Sequence, residues 1–299
     1  MASLKDLRIR KASVVSTKKI TAAMKMIAAA KMKKAQDQVE QSKVYADHMG
    51  QTLVSLVEKG RTFEIPPKLL VGTGKSERHL ILLLTSDRGL CGGFNSNITR
   101  KTIKQLNEYK ENGIKFQVIS IGRRGRDILK ASAHKDAVIE SFPAFDKPKF
   151  WQASRIANMV LDLFEKDEFD VCTVIYNRFI SVISQKITSH QIIPYNELDL
   201  KGEDMPHNDN KLSAVYEYDP SEQTVLSQLL PKNIAVQIYR ALLENAASEH
   251  GARMTAMDAA TRNASEMIDK LSLVYNRTRQ AMVTKELIEI ISGANAAAK

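Results

Sequence analysis

Two long stretches, one at each end of the chain, contain no proline and carry apolar residues at helical spacing. All eight prolines lie between Pro66 and Pro231, which leaves residues 1–65 and 232–299 without any. Because proline costs about 3 kcal/mol inside a helix, both stretches are predicted to form long unbroken helices. At about 1.5 Å per residue, a helix from Lys232 to Ser292 would extend on the order of 90 Å.

The C-terminal stretch shows a narrow apolar seam in which steps of three and four residues alternate. Its members are Met257, Ala260, Ala264, Met267, Leu271, Val274, Thr278 and Ala281. This seven-residue repeat is typical of a coiled coil. Many of the seam residues are small, so the partner helix is expected to approach closely. His250 and Arg253 interrupt the repeat upstream.

The N-terminal stretch repeats this spacing and therefore offers a partner helix. Its apolar positions are Ile20, Ala23, Met24, Ile27 and Ala30, followed by Ala46, Met49, Leu53 and Leu56. Lysines occupy the other faces. The two ends of the chain are therefore predicted to pair as a long antiparallel two-helix coiled coil.

Between the two ends, short apolar runs alternate with helical patterns. Strands are predicted at Leu80–Leu84, Phe116–Ile121 and Val171–Tyr176, and helices at 95–111, 123–132 and 151–166. This alternation indicates an α/β layer with a mainly parallel sheet. A further strand, Ser181–Ile193, is expected to pair antiparallel after a turn at Asn177-Arg178. Residues 201–212 are expected to form a polar loop, and 214–218 an edge strand.

The predicted fold class is therefore α/β: a Rossmann-like domain with a mainly parallel sheet, together with the two-helix coiled coil. The expected domain boundaries follow the patterns above. They are 1–60 for the N-terminal helix, 75–200 for the α/β domain, 201–230 for a loop and short connecting elements, and 231–294 for the C-terminal helix.

Charge is distributed unevenly along the chain. Residues 1–61 hold 13 basic and 5 acidic residues, so +8 of the net charge of +10 lies in the first fifth. The lysines of this basic arm could neutralise phosphates, but no aromatic residue for base stacking is interleaved with them. An acidic protein partner fits the charge equally well.

The two cysteines, Cys91 and Cys172, are too few for a disulfide framework and show no metal-ligand spacing. No metal site is expected. The sequence contains no apolar run long enough for a membrane span, and its first residues do not resemble a secretory signal or a transit peptide. The chain is expected to begin with structure.

The stretch LLLTSDRGLCGGFNSNI, residues 82–98, has the order strand, glycine turn, helix that many proteins use to hold phosphate. Its glycines, however, do not match G-x-G-x-x-G, and Cys91 has no histidine nearby in the sequence to activate it. Cys91 is expected to pack in the turn. Asp87 and Arg88 are expected either to be exposed contacts or to cap the turn.

Two other candidate motifs are weaker still. Gly74-Lys75-Ser76 ends like a phosphate loop but lacks the first glycine and precedes the strand instead of following it. His250 is interpreted as a polar break in the seam. The sequence therefore offers no catalytic residue, no cofactor site and no small-molecule substrate.

Three blocks of the sequence closely resemble the gamma subunit of F-type ATP synthase. They are KKITAAMKMIAAAKMKKAQ (18–36), TSDRGLCGGFNSNI (85–98) and the stretch from Glu244 to Ala294. The resemblance covers both long helices and the sheet between them. It implies a non-catalytic central rotor shaft that couples ion translocation to ATP synthesis or hydrolysis in a hexamer of alpha and beta subunits. It also implies an epsilon subunit and the membrane c-ring as partners, with no nucleic acid.

The same resemblance assigns roles to individual residues. Met24 and Lys25 would face an acidic lever of the beta subunits, and Arg88 would lie near the base of beta. Arg279, Gln280 and Thr284 would meet the catch loops of the catalytic ring. Ile288 and Ile291 would belong to a tip, 288–294, that sits in an apolar bearing. The cysteines do not form the regulatory pair of photosynthetic relatives, so no thiol switch is predicted.

The expected location is the cytoplasmic face of a bacterial inner membrane, peripherally bound, with the matrix side of the mitochondrial inner membrane as the alternative. Two other functions stay open on the residues alone. One is a basic coiled-coil protein that binds nucleic acid or an anionic membrane surface. The other is an α/β enzyme that uses the loop from Asp87 to Gly93.

Overall fold

The computed structural model describes residues 3–60, 63, 66–195, 218–219 and 221–297, apart from some side chains near the ends of the long helices. Two compact units are present, residues 1–28 with 253–299 and residues 29–252. We call the described part of the first the two-helix segment and that of the second the α/β body. The predicted loop at 201–212 and nearly all of the predicted edge strand at 214–218 lie outside the described residues.

Both predicted terminal helices are present. Helix α1 spans Leu4–Gly60, and helix α6 spans Glu222–Ala297. The predicted start of the second helix at 231 was too late, because the helix continues through Pro231. The surrounding side chains Leu226, Leu230 and Ile234 are buried, and their packing outweighs the one backbone hydrogen bond that proline cannot donate.

The α/β body is built on a five-stranded sheet. Its elements are α2 (Lys68–Val71), β1 (Arg78–Leu84), α3 (Phe94–Glu111), β2 (Lys115–Ile121), α4 (Arg123–Lys130), β3 (Val138–Phe142), α5 (Phe150–Glu165), β4 (Val171–Phe179) and β5 (Gln185–Ile193). The strand order is β3-β2-β1-β4-β5, and only β5 is antiparallel. The predicted Rossmann-like, mainly parallel sheet is confirmed.

Two details of the sheet differ from the sequence prediction. Strand β4 continues to Phe179, so the turn to β5 lies at 180–184 and not at Asn177-Arg178. The short edge strand β3, VIESF, was not predicted. Apolar and polar residues alternate only weakly along β3, and none of its side chains is fully buried, so hydropathy gives little signal for a strand.

Strand β1 forms the centre of the core because both of its faces are covered. Leu80, Leu82 and Leu84 pack in a cluster with side chains of α5 and α6, whereas Ile81 and Leu83 pack in a cluster with side chains of α3 and α4. All five are fully buried. This explains why the strand is continuously apolar instead of alternating.

A buried ion pair fixes the start of the same strand. The Asp170 carboxylate has no exposed surface and lies 2.8 Å from Nη2 of Arg78. It also accepts hydrogen bonds from Thr73 Oγ1 and from the backbone N–H groups of Glu77 and Arg78. The Arg78 side chain above all, helped by the Thr73 hydroxyl, lowers the pKa of Asp170 to about 2.

Candidate functional site

The two-helix segment is held by an antiparallel seam of small and polar residues. The hydroxyl oxygens of Thr21 and Thr261 lie 2.8 Å apart, and Ala28, Met257 and Ala264 are buried. This confirms the predicted helix pairing and the close approach that small residues permit.

The predicted seam was wrong by one residue in part of its register. On α6 the series at 257, 264, 271 and 278 faces inward, but the second inward series is Thr261, Ile268 and Tyr275. On α1 the inward series is spaced by seven: Leu7, Val14, Thr21, Ala28 and Ala35.

Hydropathy misled the assignment because strongly apolar side chains lie beside the seam and not in it. Ile20, Ile27, Met267 and Val274 are exposed by 57%, 58%, 51% and 49%. Ala23 and Ala30, also predicted as seam positions, are exposed too. The segment therefore presents apolar surface outward on both helices, which is unusual for an isolated two-helix unit.

Lys25, one of the predicted contacts, has a partner within the segment. Its ammonium lies 2.6 Å from Asp258, which is also 3.3 Å from Arg262. The hydrogen bond from Lys25 is the main reason why the pKa of Asp258 is lowered. Both side chains of the Lys25–Asp258 pair remain over a third exposed. The neighbouring Met24 is half-buried.

Beyond the seam, α6 continues as a tip that α1 does not cover. Since Thr21 lies beside Thr261 and Lys25 beside Asp258, the start of α1 at Leu4 lies beside about residue 278. Every residue from 279 to 294 is exposed, including the predicted contacts Arg279, Gln280 and Thr284. We call residues 279–294 the exposed tip.

The exposed tip is rich in large apolar side chains. Leu287, Ile288, Ile290 and Ile291 are all more than half exposed. A charged pair, Lys285 with Glu289, lies on the same stretch at 3.6 Å. In the α/β body most leucine and isoleucine side chains are buried in the core. The same residue types in the tip do not pack in a core of this chain.

The glycine turn, residues 86–93, uses its polar groups internally. The backbone N–H of Ser86 donates to Oδ1 of Asn95 at 2.9 Å, and the Asn95 amide lies 3.3 Å from Cys91 Sγ. Cys91 is buried, as predicted. The Asn95 side chain thus joins the end of β1 to the glycine turn through hydrogen bonds within the protein.

Asp87 caps a neighbouring helix. Its Oδ1 accepts the backbone N–H of Arg123, the first residue of α4, at 2.8 Å and that of Ala144 at 2.9 Å. Asp87 was expected either to be an exposed contact or to cap the glycine turn, but both of its hydrogen bonds go to backbone N–H groups outside that turn. Arg88, by contrast, is exposed.

Leu90, which sequence reasoning missed, has an unusual backbone. Its φ is +63°, in the left-handed region, and its side chain is 61% exposed. This conformation costs a residue with a Cβ roughly 1–2 kcal/mol. A hydropathy pattern carries no signal for such a backbone angle.

The crevice at the carboxyl ends of β1 and β4, where sheets of this topology commonly bind ligands, is filled by the protein itself. Asn245 of α6 accepts the backbone N–H of Asn177 at 3.3 Å, and Ser248 donates to the Asn177 carbonyl at 2.8 Å. On the other side, a Cβ on Gly122 or Gly125 would lie within 2.7 Å of Thr85 atoms. These glycines are required by close packing and do not form a phosphate cradle.

His250 also has a defined environment. The side chain is buried, and Nε2 lies 3.4 Å from Asp146, which in turn lies 2.5 Å from the Lys31 ammonium. Partial burial alone would raise the pKa of Asp146, but the Lys31 hydrogen bond and nearby positive charge, including Arg88, bring it below its ordinary value. His250 thus belongs to a polar cluster joining α1, α6 and the loop before α5.

Neither cysteine has the features of a nucleophile. Burial raises the pKa of the Cys172 thiol, and Cys91 is enclosed in the glycine turn. Among the described residues, no group of three or more His, Cys, Asp or Glu side chains could hold a metal ion. None of the helices in the described ranges is both long and apolar enough to cross a membrane.

Comparisons with known proteins match nearly the whole chain. The ATP synthase family model matches residues 3–297. The ATP synthase gamma chain of Rhodospirillum rubrum is 50% identical over 301 aligned positions, covering 99% of this chain and 100% of the relative. That of Pelagibacter ubique is 49% identical over 296, covering 98% and 99%. The chain belongs to the ATP synthase gamma chain family.

Solved structures agree with this family assignment. A chain of the Tetrahymena thermophila mitochondrial ATP synthase central stalk and c-ring is 28% identical, with a TM-score of 0.59, covering 81% of this chain and 99% of that one. A chain of the Euglena gracilis mitochondrial ATP synthase rotor has a TM-score of 0.62 at 20% identity, covering 94% and 98%, which supports the fold. The resemblance inferred from the three sequence blocks is confirmed.

Within the gamma chain family assignment, the predicted contact residues fall into two groups. Arg279, Gln280 and Thr284 belong to the exposed tip, together with Ile288 and Ile291. Met24 and Lys25 lie on α1 of the same two-helix segment. Arg88 lies in the α/β body, on the glycine turn. The comparisons do not favour the alternative of a nucleic-acid-binding or membrane-surface protein.

Proposed function

We propose that this chain is the central rotor shaft of an F-type ATP synthase, a non-catalytic subunit that couples ion translocation to ATP synthesis or hydrolysis by rotation. The observation that carries the proposal is the exposed tip, an apolar helix end without a core. A shaft turning in an apolar bearing needs such a surface, because directional polar contacts would favour one angle over the others. Ile288 and Ile291 are the proposed bearing residues.

The seam supports the same proposal. Two helices packed through Thr, Ala and Met side chains resist bending together while remaining slim, as a shaft inside a bore requires. The apolar side chains beside the seam, such as Ile20 and Ile27, then contact the surrounding alpha and beta subunits. Their exposure in the chain by itself leaves them available for such contacts.

Lys25 illustrates how contacts can be exchanged during rotation. Its pair with Asp258 is partly exposed, and such pairs contribute little stability because water and salt screen them. Lys25 can therefore leave Asp258 for an acidic lever of one beta subunit and return as the shaft turns. We propose Met24, Lys25, Arg88, Arg279, Gln280 and Thr284 as contacts with the catalytic ring.

Further partners follow from the same role. We propose that the chain also binds the epsilon subunit and the c-ring, and that it holds no nucleotide, metal or other cofactor of its own. Its proposed place is the cytoplasmic face of a bacterial inner membrane, as a peripheral component, with the matrix side of the mitochondrial inner membrane as the alternative.

Reconstitution tests the proposal directly. Alpha and beta subunits are mixed with and without this chain, and the assembled complex is isolated by gel filtration and assayed for ATP hydrolysis. We expect the chain to enter the complex and to rotate when a bead is attached to an engineered surface cysteine. Failure of the chain to enter the complex would refute the rotor function.

Gln280→Leu refines this test. The side chain is exposed, so the isolated variant should keep its far-ultraviolet circular dichroism and thermal midpoint. If Gln280 contacts the catalytic ring, the complex should form less well or hydrolyse ATP more slowly, by about tenfold for the loss of one buried hydrogen bond. Gln41→Leu, at an exposed position of α1 outside the exposed tip, is a control of the same chemistry. An unchanged Gln280→Leu complex would argue against the contact.

A further inference from the structure

Strand β4 extends beyond the end of its neighbour β1. The pairing of the two strands stops at Leu83 with Ile175, whereas β4 continues to Phe179. Asn177 therefore lies beyond the β1–β4 pairing, and it is buried. A buried backbone N–H or carbonyl group without a hydrogen bond costs free energy, so this end of β4 requires partners from another element.

Two side chains of α6 supply those partners. Oδ1 of Asn245 accepts the backbone N–H of Asn177 at 3.3 Å, and the Ser248 hydroxyl donates to the Asn177 carbonyl at 2.8 Å. The side-chain amide of Asn245 also donates to the carbonyl of Thr85, the residue after β1, at 3.5 Å. All four residues are buried. We call the two hydrogen bonds to the Asn177 backbone the Asn177 contact.

The Asn177 contact fits only one position of α6 on the sheet. It requires an acceptor and a donor three residues apart, which lie on the same face of a helix. A shift of α6 by one residue, about 1.5 Å along its axis and about 100° around it, would bring Ala246 and Glu249 to these places. Because the Ala246 side chain cannot accept a hydrogen bond, the contact would be lost.

Apolar side chains of α6 also pack on this face of the sheet, but they fix its position less strictly. Ile238, Ala241 and Leu242 belong to the buried cluster that covers β1 and β4. Apolar packing opposes separation of helix and sheet, yet it is non-directional. Gln237 makes a further polar contact with His190 of β5 at 3.1 Å, but both side chains are only half-buried. The directional contact in the core is the one with Asn177.

We propose that Asn245 and Ser248 are positioning residues for rotation, which hold α6 against turning and sliding on the sheet so that torque passes between the α/β body and the shaft. This inference rests on the proposed rotor function. Helix α6 is continuous from Glu222 to Ala297, so it belongs to the body at one end and to the two-helix segment at the other. A buried polar contact suits this role, since such contacts specify register in other helical assemblies.

Torsional stiffness measures the role of the Asn177 contact directly. The chain is assembled with alpha and beta subunits, and the hexamer is fixed to a surface and stopped with a non-hydrolysable ATP analogue. A bead is attached to an engineered surface cysteine of the body, where both native cysteines are buried. The variance of the bead angle rises as torsional stiffness falls. We expect Ser248→Ala and Asn245→Leu to widen the angular distribution, and the double variant to widen it most.

Hydrogen exchange in the same complexes locates the change. The Asn177 amide should exchange about tenfold faster in Asn245→Leu than in wild type, as the loss of one buried hydrogen bond predicts. Ser248→Ala removes a single oxygen atom, so it should assemble even where Asn245→Leu does not. It therefore provides the stiffness measurement on its own.

Ile238→Val is the matched control for stability. Ile238 is fully buried on the same helix, and the substitution removes one methylene group without removing a directional contact. It should lower the unfolding temperature about as much as Ser248→Ala does, because both changes have similar typical costs. The angular distribution of the Ile238→Val complex should nevertheless match that of wild type.

Three outcomes separate the proposal from its alternatives. Unchanged angular distributions in Ser248→Ala and Asn245→Leu would show that the Asn177 contact carries no torque, while the rotor function would stand. Equal widening by Ile238→Val would make Asn245 and Ser248 ordinary stabilising residues and would also overturn the proposal. Failure of the wild-type chain to enter the complex would instead refute the rotor function itself.

Discussion

In the α/β body the residues of β1 from Leu80 to Leu84 are all fully buried, whereas in the two-helix segment the inward positions include Thr21, Ala28 and Ala264. Several large apolar residues of the segment, such as Ile27, are exposed. The body thus buries its apolar surface within itself, and the segment leaves much of its own exposed. The difference indicates that the exposed apolar surface of the segment is available to partner subunits.

The largest expected effect is a cavity in the body. Leu82→Ala, at the centre of β1, should lower the free energy of unfolding by about 3–5 kcal/mol, because the closely packed sheet cannot collapse around the lost side chain. Urea unfolding followed by circular dichroism measures it. Leu273→Ala, on the two-helix segment at 71% exposure, is the matched control and should change stability by less than about 0.5 kcal/mol.

The second prediction concerns the buried ion pair of the body. Asp170→Asn should destabilise the chain by about 3 kcal/mol at pH 7, because it removes a buried charge that Arg78 and two backbone N–H groups require. Hydrogen exchange at the start of β1 should rise first.

The pH dependence of this pair has a definite sign. The pKa of Asp170 is about 2 in the folded protein, below its ordinary value of 3.8, so its contribution is complete above about pH 4 and is lost as the pH falls towards 2. Acid unfolding of Asp170→Asn should lack this component. An identical acid transition in both proteins would contradict the assigned pair.

The third prediction concerns the polar seam of the two-helix segment. Thr261→Val should cost about 1 kcal/mol, because it leaves the buried Thr21 hydroxyl facing a methyl group. Adding Thr21→Val should recover much of this loss, since both polar groups are then removed together. Thermal unfolding of the two single variants and the double variant measures the coupling. A double variant less stable than either single variant would show that the hydroxyls act independently.

The sequence predicts the fold better than it predicts the contacts. The buried strand at Leu80–Leu84 is visible because a continuous apolar run has few alternatives, and the terminal helices are visible because proline is absent from them. The register of the seam was misread because Met267 and Val274 are more apolar than Thr261 and Tyr275, which face inward. Local hydropathy cannot distinguish an exposed apolar side chain beside the seam from an apolar side chain that packs against the neighbouring helix.

The candidate site was predictable only in part. The resemblance supplies Gln280 and Arg88, and the structure finds both exposed. The Asp258 partner of Lys25 lies far away in the sequence, so no local pattern indicates it. Leu90 was not singled out from the sequence because its distinguishing feature is a backbone angle. The role of Asp87 as a helix cap was not predicted because its two hydrogen bonds join it to residues that are distant in the sequence.

The smallest effect on stability is expected for a change in the exposed tip, and it tests the contrast between the α/β body and the two-helix segment most directly. Leu287→Asn changes a 53%-exposed residue of the exposed tip, so the isolated chain should keep its unfolding free energy within about 0.5 kcal/mol. Thermal unfolding checks this, with Leu82→Asn in the body as the contrasting variant that fails to fold stably. A loss above about 1 kcal/mol would mean that the tip packs within the chain. Its apolar surface would then serve stability, and the argument for a bearing would fail.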